Sequence, residues 1–375
     1  MNLQDRLVKL ARIERVETPV VSVYLNTRWA DEHQRDRARI FLKNELAKAR
    51  GASSGRVAEA DLDWIEREGE ALVAQSRFPD AHGVTLFACQ AARLREVLPV
   101  RVPFADRFVV AEAPFLRPLA TMLRENPSTL VAFVNTESAR LIPLTMDGAG
   151  EEVVLESDVA SRHSPLGWIQ MAQTQYQQYI RNHRARHFEA VIESLVALVE
   201  RHGVERIVLA GEARHVAQFR QMLPRRTGEL VAGVVAGTRD ESAGVIAGRA
   251  ATLVTHLEGQ EQGIAIDAVL TEAAKGGEAV ASLDETLEAV NRGAVRRLYQ
   301  LSAFSQAGRY CLSCSSLQRG PDLMCRVCRN EAKPVELADA MVERVIASGG
   351  EVETVDVHER LGRVGGIAAL LRYPL

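Results

Sequence analysis

The chain has 375 residues, 47% hydrophobic, 25% charged and 5% aromatic, with 46 Lys and Arg against 49 Asp and Glu. That is an average globular composition, long enough for about two to three domains with cores of their own, and it excludes disordered, collagenous and coiled-coil fibre classes. A formal net charge of −3 also excludes a uniformly basic nucleic-acid coat, so any RNA partner has to be met by a local basic patch.

No run of about 18 apolar residues is present to span a bilayer. Residues 1–16 alternate charge with Leu, Val and Ile at helical spacing, unlike the uninterrupted apolar stretch of a signal peptide. The expected setting is the cytoplasm, with no membrane partner. Of the 5 cysteines, four fall within Cys311 to Cys328, which points to metal rather than to a disulfide scaffold.

In chain order, the first segment opens with a helix and then Val20-Val-Ser-Val-Tyr-Leu25, a β-branched run that reads as a buried strand. A charged helix is expected over 32–49, a loop over 51–55, a helix over 61–74 and a strand over 84–89. This alternation predicts an α/β domain with its sheet buried on both faces, and Cys89 in its strand reads as a small core residue. A passage carrying Pro99, Pro103, Pro114, Pro118 and Pro127 follows, and the domain boundary is expected near Asn126.

The second segment starts with a hairpin, Leu130-Val-Ala-Phe-Val134 and Ala139-Arg-Leu-Ile-Pro-Leu144, joined by 135–138. A short strand, a long polar stretch and a helix to His202 come next. Arg206-Ile-Val-Leu-Ala-Gly211 is a strand ending in glycine, followed by a helix, a strand over 230–236 and a helix from about Ser242, again an α/β order. The third segment follows a helical connection around 260–275. It holds a helix over 283–291 stopped by Gly293, strands over 295–301 and 351–355, a helix over 335–347, and a closing strand over 366–373.

Cys311-Leu-Ser-Cys314 and Cys325-Arg-Val-Cys328 are the sharpest chemical signal. Each two-residue spacer lets both sulfurs of one turn face a common centre, and two such turns supply the four thiolates that tetrahedral zinc prefers. Four sulfurs leave no position for water, so the expected ion is structural and holds a ribbon over 308–332. A redox dithiol pair is the alternative reading of the same residues.

A second signal is the absence of Asp and Glu from 159–188, a stretch containing Arg162, Arg181, Arg184, Arg186, His163, His183 and His187. The helix there has an apolar stripe at Tyr176, Tyr179, Ile180, Phe188, Val191, Ile192 and Leu195, which puts the basic residues on the exposed side, able to meet phosphates. His183 and His187 stand four apart, but Arg184 occupies the position where a zinc protease has its glutamate. The Gly233/Gly237 and Gly244/Gly248 pairs lack the Lys-Ser or Lys-Thr of a phosphate loop and read as tight turns.

Three features occur in one order: a middle α/β unit with a Gly-and-Gln loop entering a basic helix, an α/β unit interrupted by the four-cysteine ribbon, and Gly365-Gly-Ile-Ala-Ala-Leu-Leu-Arg-Tyr373. This order resembles the archaeal and eukaryotic class-1 peptide-chain release factors and Pelota, most closely their bacterial relatives. The likeness is most specific over 283–373, weaker over 130–256, and positional only before 126. It implies three α/β domains in a release-factor and Pelota-like arrangement, 1–126, 127–262 and 263–375, the last with the inserted zinc ribbon.

The resemblance also implies a protein that enters the ribosomal A site, with rRNA and tRNA as partners and a translational GTPase as a further one. In release factors a Gly-Gly-Gln loop orients water onto the peptidyl-tRNA ester. Here Ser164-Pro-Leu-Gly-Trp-Ile-Gln170 stands in that place, a Gly-x-x-Gln loop similar to that of tRNA-cleaving hydrolases of ribosome quality control. Gly167 and Gln170 are therefore the expected catalytic residues, and Arg162, Arg181, Arg184, Arg186 and His187 the RNA contacts. Trp168 and β-branched Ile169 disfavour the positive φ that a second glycine allows, so a non-catalytic rescue or hibernation role stays open beside hydrolysis.

Overall fold

A computed structural model describes residues 3–13, 15, 18–29, 32–52, 57–74, 78, 81–146, 152–156 and 171–375, without the side chains of 32, 52, 171–177 and 179–181. The chain groups into two units, residues 1–125 with 260–375, and residues 126–259. The first and last thirds of the sequence thus fall in one unit, and the middle third forms the other.

The first third runs α1 (Leu3–Ala11), β1 (Val20–Asn26), α2 (Glu32–Ala52), α3 (Glu59–Ala74), β2 (Gly83–Cys89), β3 (Leu94–Val100), β4 (Arg107–Ala111) and α4 (Arg117–Glu125). Its four-stranded sheet has the order β3-β2-β1-β4, antiparallel throughout. β1 is buried on both faces, as its unbroken apolar run predicts. Val21, Val23 and Leu25 pack on Leu42, Leu46, Leu62 and Ile65 of α2 and α3. From the opposite face Tyr24 meets Phe104 and Phe115 edge-on and donates its hydroxyl to the Phe115 carbonyl.

The proline-rich passage, read only as a boundary, holds β3, β4 and α4 as well. Its prolines sit where a missing N–H costs little: Pro99 on the edge strand β3 and Pro118 in the first turn of α4. Proline content marks breaks, but these are breaks that an edge and a helix start can absorb.

The middle third runs β5 (Thr129–Val134), β6 (Ser138–Leu144), β7 (Val153–Glu156), α5 (Met171–His202), β8 (Arg206–Ala210), α6 (Ala213–Met222), α7 (Arg225–Glu229), β9 (Val231–Val235) and α8 (Ala243–Ala274). The sheet order is β7-β6-β5-β8-β9. β5, β8 and β9 are parallel, and the expected hairpin closes with Val134 opposite Ala139. Leu130, Ala132 and Val134 face α5 and α6, while Val131 and Phe133 face Ile246 and Ala250 of α8, giving three layers about a fully buried central strand. Gly211 ends β8 at φ +138, where an added Cβ would lie 2.5 Å from the Val134 carbonyl oxygen. α8 continues without a break past 259, the point where the two units divide.

The last third runs β10 (Ala279–Val280), α9 (Leu283–Arg292), β11 (Val295–Leu301), β12 (Ala307–Cys311), β13 (Leu317–Arg319), β14 (Ala332–Glu336), α10 (Leu337–Ala347), β15 (Glu351–Val355), α11 (Glu359–Arg363) and β16 (Ile367–Leu371). A mixed sheet β10-β16-β11-β15 carries the core, and a small antiparallel sheet β13-β12-β14 carries the cysteines. Ser282 caps α9, its Oγ accepting from Glu285 N at 3.3 Å and meeting Glu285 Oε2 at 2.9 Å, and Gly293 closes the helix at φ +68. α10 starts two residues later than expected, because 332–336 pair with β12.

Two buried ion pairs tie the first third to the last: Arg15 with Glu343 at 2.6 Å and Arg124 with Glu353 at 3.0 Å. Among the described residues no helix is long and apolar enough to cross a membrane.

Candidate nucleic-acid interface and metal centre

The expected RNA-facing residues separate in the structure. Gly167, Gln170 and Arg162 lie outside the described residues, as does the Arg181 side chain. α5 begins at Met171, so the Gly-x-x-Gln stretch ends immediately before it, and Arg181, Arg184, Arg186 and His187 are all on this helix. Phe188, Val191 and Leu195 pack in the core against β5 and β6, as the stripe predicts.

Extending that stripe back by helical steps from Leu195 through Val191 and His187 reaches Arg184, so these two polar residues share the core-facing side. Arg184 is half-buried and its Nη1 donates to Gln218 Oε1 of α6 at 3.3 Å. That partner is a neutral amide oxygen and not a carboxylate. His187 is 6% exposed, which corrects its placement on the solvent side. Burial pushes its imidazole pKa down against a partial upward pull from the Ser138 backbone, and nearby His183 adds to the lowering. Arg186 is exposed, as expected. Among the described residues neither Arg184 Nε nor His187 Nε2 finds a hydrogen-bond partner.

Gln218 and Ser138 were not candidates from sequence. Gln218 lies beside the apolar Val216 and Phe219 on an amphipathic helix, which fixes its neighbourhood but not its partner. Ser138 is a hairpin residue, and only the crossing of α5 over β6 brings it to His187.

The four cysteines do converge. One donor atom from each of Cys311, Cys314, Cys325 and Cys328 lies within 4.8 Å of the others, with Cys311 to Cys328 at 3.4 Å and Cys314 to Cys325 at 3.5 Å. A zinc–sulfur bond of about 2.3 Å places tetrahedral sulfurs about 3.8 Å apart, so separations running from 3.4 Å to no more than 4.8 Å suit such an ion with shifts of at most about 1 Å. Cys311 and Cys325 are buried, and the Val327 N–H donates to Cys325 Sγ at 3.4 Å. Burial opposes the Cys325 thiolate, but the Cys328 and Val327 amides and the Cys314 and Cys328 sulfurs outweigh it and pull its pKa down to about 6. Cys314 is pushed up to about 12 by burial and by the three neighbouring sulfurs.

Taken together, the middle unit is a three-layer α/β fold led by a basic helix, and the last third carries a four-thiol ribbon. Residues 114–253 match the family model described as bacterial archaeo-eukaryotic release factor family 10, so the resemblance to bacterial relatives of the release-factor and Pelota family is shown over that stretch.

Solved structures similar to the chain include Archaeoglobus fulgidus Pelota (17% identity over 99% of this chain and 92% of that one, TM-score 0.34). Ribosome-bound archaeal Pelota, described together with ABCE1, has 17% identity over 99% and 94% of the two chains, TM-score 0.43. Saccharomyces cerevisiae Dom34, described as interacting with Hbs1, has 12% identity over 75% and 74%, TM-score 0.42. Superpositions at these scores fix no residue correspondence. No curated protein matches the chain.

Proposed function

We propose that the protein is a ribosome-associated translation factor that acts on stalled ribosomes and hydrolyses peptidyl-tRNA through the loop Gly167 to Gln170. The observation that carries this reading is the family match over 114–253, a span that contains both the loop and the basic start of α5. Gly167 gives the loop backbone freedom, and Gln170 holds the attacking water or donates to the developing oxyanion, an effect worth about 3–4 kcal/mol at a well-built site. Arg162, Arg181, Arg184 and Arg186 meet rRNA or tRNA phosphates, while His187 supports α5 from within the core. Proton transfer falls to the ribosome or the tRNA, since the loop carries no general base.

The same proposal takes the three segments 1–126, 127–262 and 263–375 as domains and assigns zinc to Cys311, Cys314, Cys325 and Cys328. It expects a translational GTPase as a delivery partner and places the protein in the cytoplasm.

A second reading is favoured by one feature: Trp168 and Ile169 stand between the glycine and the glutamine. Bulky and β-branched side chains resist the backbone of a double glycine, so the protein would occupy the A site of idle ribosomes without cleaving anything. Release of a labelled nascent peptide from stalled ribosomes separates the two. Under the hydrolytic reading Gln170→Ala abolishes release and leaves co-sedimentation intact; no release by the wild type, with co-sedimentation retained, selects the binding role.

A further inference from the structure

Helices α9 and α10 end close together, and their terminal carbonyls can be followed one by one. At the end of α10 the Arg344 carbonyl receives Ser348 N, Val345 receives Gly350 N, and Ile346 receives Gly349 N. The Ala347 carbonyl receives Arg12 Nε at 3.2 Å, and the Ser348 carbonyl receives Arg372 Nη2 at 2.9 Å. At the end of α9 the Val290 and Asn291 carbonyls receive Arg344 Nε and Nη2 at 3.3 and 3.2 Å, and Arg344 Nη1 donates to the Ser315 carbonyl. Arg372 Nε also holds the Val295 carbonyl at 3.2 Å. Arg296 is the extra residue of a bulge in β11 next to Val295, and it is exposed.

So Arg12, Arg344 and Arg372 are anchored by neutral oxygens at these two helix ends, and Arg296 follows Val295, whose carbonyl Arg372 holds. Among the described residues none of Arg12, Arg296, Arg344 and Arg372 has a carboxylate within 4.0 Å, and the nearby Glu343 is engaged by Arg15. Each helix C-terminus offsets about half an elementary charge, so two ends leave about three of the four positive charges uncompensated. A guanidinium has five N–H donors; Arg344 uses three on carbonyls and Arg12 one, leaving two and four. Beside Arg12 and Arg344 runs a groove of about 550 Å³, lined also by Arg15, Tyr310, Leu312 and Glu343.

We propose that Arg12, Arg296, Arg344 and Arg372 form a seat for the phosphate backbone of an RNA strand, separate from α5. It rests on the reading above only in taking that RNA to be ribosomal. Helix capping explains why these guanidiniums are fixed in place. It does not account for an exposed arginine with no carbonyl to cap, or for unused donors around a groove whose lining carboxylate, Glu343, is already held by Arg15. Pre-anchored arginines suit phosphate because little rotamer freedom is left to lose on binding.

The test uses the full-length protein, a fluorescein-labelled 12-nucleotide single-stranded RNA and, in parallel, purified ribosomes. The double variant Arg12→Gln with Arg296→Gln leaves the Arg344 and Arg372 anchors in place, so the fold is retained. Each lost single-strand phosphate contact lowers the log–log salt slope by about 0.7, hence about 1.4 for two. Between 50 and 200 mM salt the wild type then loses about sevenfold more affinity than the variant. An unchanged slope with a lowered melting temperature would leave these side chains as helix caps only and overturn the proposal. So would polyglutamate competing through the same two arginines better than RNA does, which would assign the seat to an acidic protein. Failure of the wild type to sediment with ribosomes, with the slope change retained on the oligonucleotide, refutes the ribosomal reading and spares the seat.

Discussion

The ribbon gives the most direct quantitative expectation, because its four sulfurs converge. The buried cluster of β12–β14 consists of Cys311, Cys325 and Ala332, with Cys314 and Cys328 packed against them. Leu317 of β13 is buried and its backbone is held by Asn291 of α9, but the two cysteine turns have little apolar surface of their own to offset the entropy of ordering them. The four thiols can hold an ion that does so, and structural zinc in motifs of this size binds with about 10–16 kcal/mol at pH 7, free energy that is at the same time folding free energy. Purified protein is therefore expected to carry one zinc per chain.

Cys325→Ser removes one of the four ligands. Loss of a residue that merely supports a ligand costs about 10–100-fold in affinity, so loss of a ligand itself should exceed that range. Elemental analysis, with metal release titrated by a thiol-binding mercurial, reads this directly. Four thiols should govern release, and Cys89, buried in β2, should react only on global unfolding. Chelation should open 308–332 to proteolysis while β5–β9 stay protected from hydrogen exchange. A metal-free protein whose β12–β14 amides exchange as slowly as in the metal-loaded form would refute the reasoning, and iron in place of zinc would correct the metal alone.

Two further expectations concern buried charge. His187 has its pKa lowered by burial, so the folded chain binds a proton there less readily than the unfolded one. Its contribution is complete above the unfolded value of about 6.5 and is lost as pH falls below it. The urea midpoint of the wild type should accordingly drop more between pH 7 and 5 than that of His187→Gln, and parallel curves would refute the assignment. Arg15→Ala strips Glu343 of its partner in a pair whose side chains are 7% and 13% exposed, which should cost about 3–5 kcal/mol near pH 7. Burial, opposed by Arg15, already holds the Glu343 carboxyl above the usual range, so protonation on folding relieves the penalty, and the loss should shrink at pH 5. A loss below about 1 kcal/mol at both pH values would show the pair to be dispensable.

Segments whose surroundings repeat with their own period were legible in the sequence. β5 and β8 announce themselves as unbroken apolar runs because helices cover both their faces, β1 because helices cover one face and Phe104 and Phe115 the other, and Ser282 with Gly293 marks the two ends of α9 because capping is a local event. β3, β4 and α4 were hidden because proline was read as a break, whereas an edge strand and a first helical turn need no N–H at that position. The cysteine centre was readable since a two-residue spacer sets the sulfur separation by itself. His187 was legible only by its place on the Leu195–Val191 stripe, which its polar character masks; its partner Ser138, at the start of β6, was not, since only the packing of α5 on β6 brings the two together.

Net charge gives no account of how this chain would approach RNA. With 46 cations against 49 anions, a distant phosphate sees a slightly repulsive body. Attraction has to arise where carboxylates are missing, or already engaged by a cation, within a Debye length of about 8 Å, so what matters is where free acids are absent rather than how many bases there are. Two places meet that condition by different means. In 159–188 the sequence omits acids outright; at the ends of α9 and α10 the fold gathers arginines from positions 12, 344 and 372 onto neutral carbonyls, with Arg296 next to Val295, far apart in the chain and invisible to any window along it. Lysine would not serve the second arrangement, since an ammonium has three donors and no fork, and holding two carbonyls would leave it only one. The chain has 41 arginines and 5 lysines, and none of those lysines is at these four positions. Arg344→Lys should thus keep the formal charge and still flatten the salt slope, because the rigid fork, not the charge alone, presents the unused donors outward.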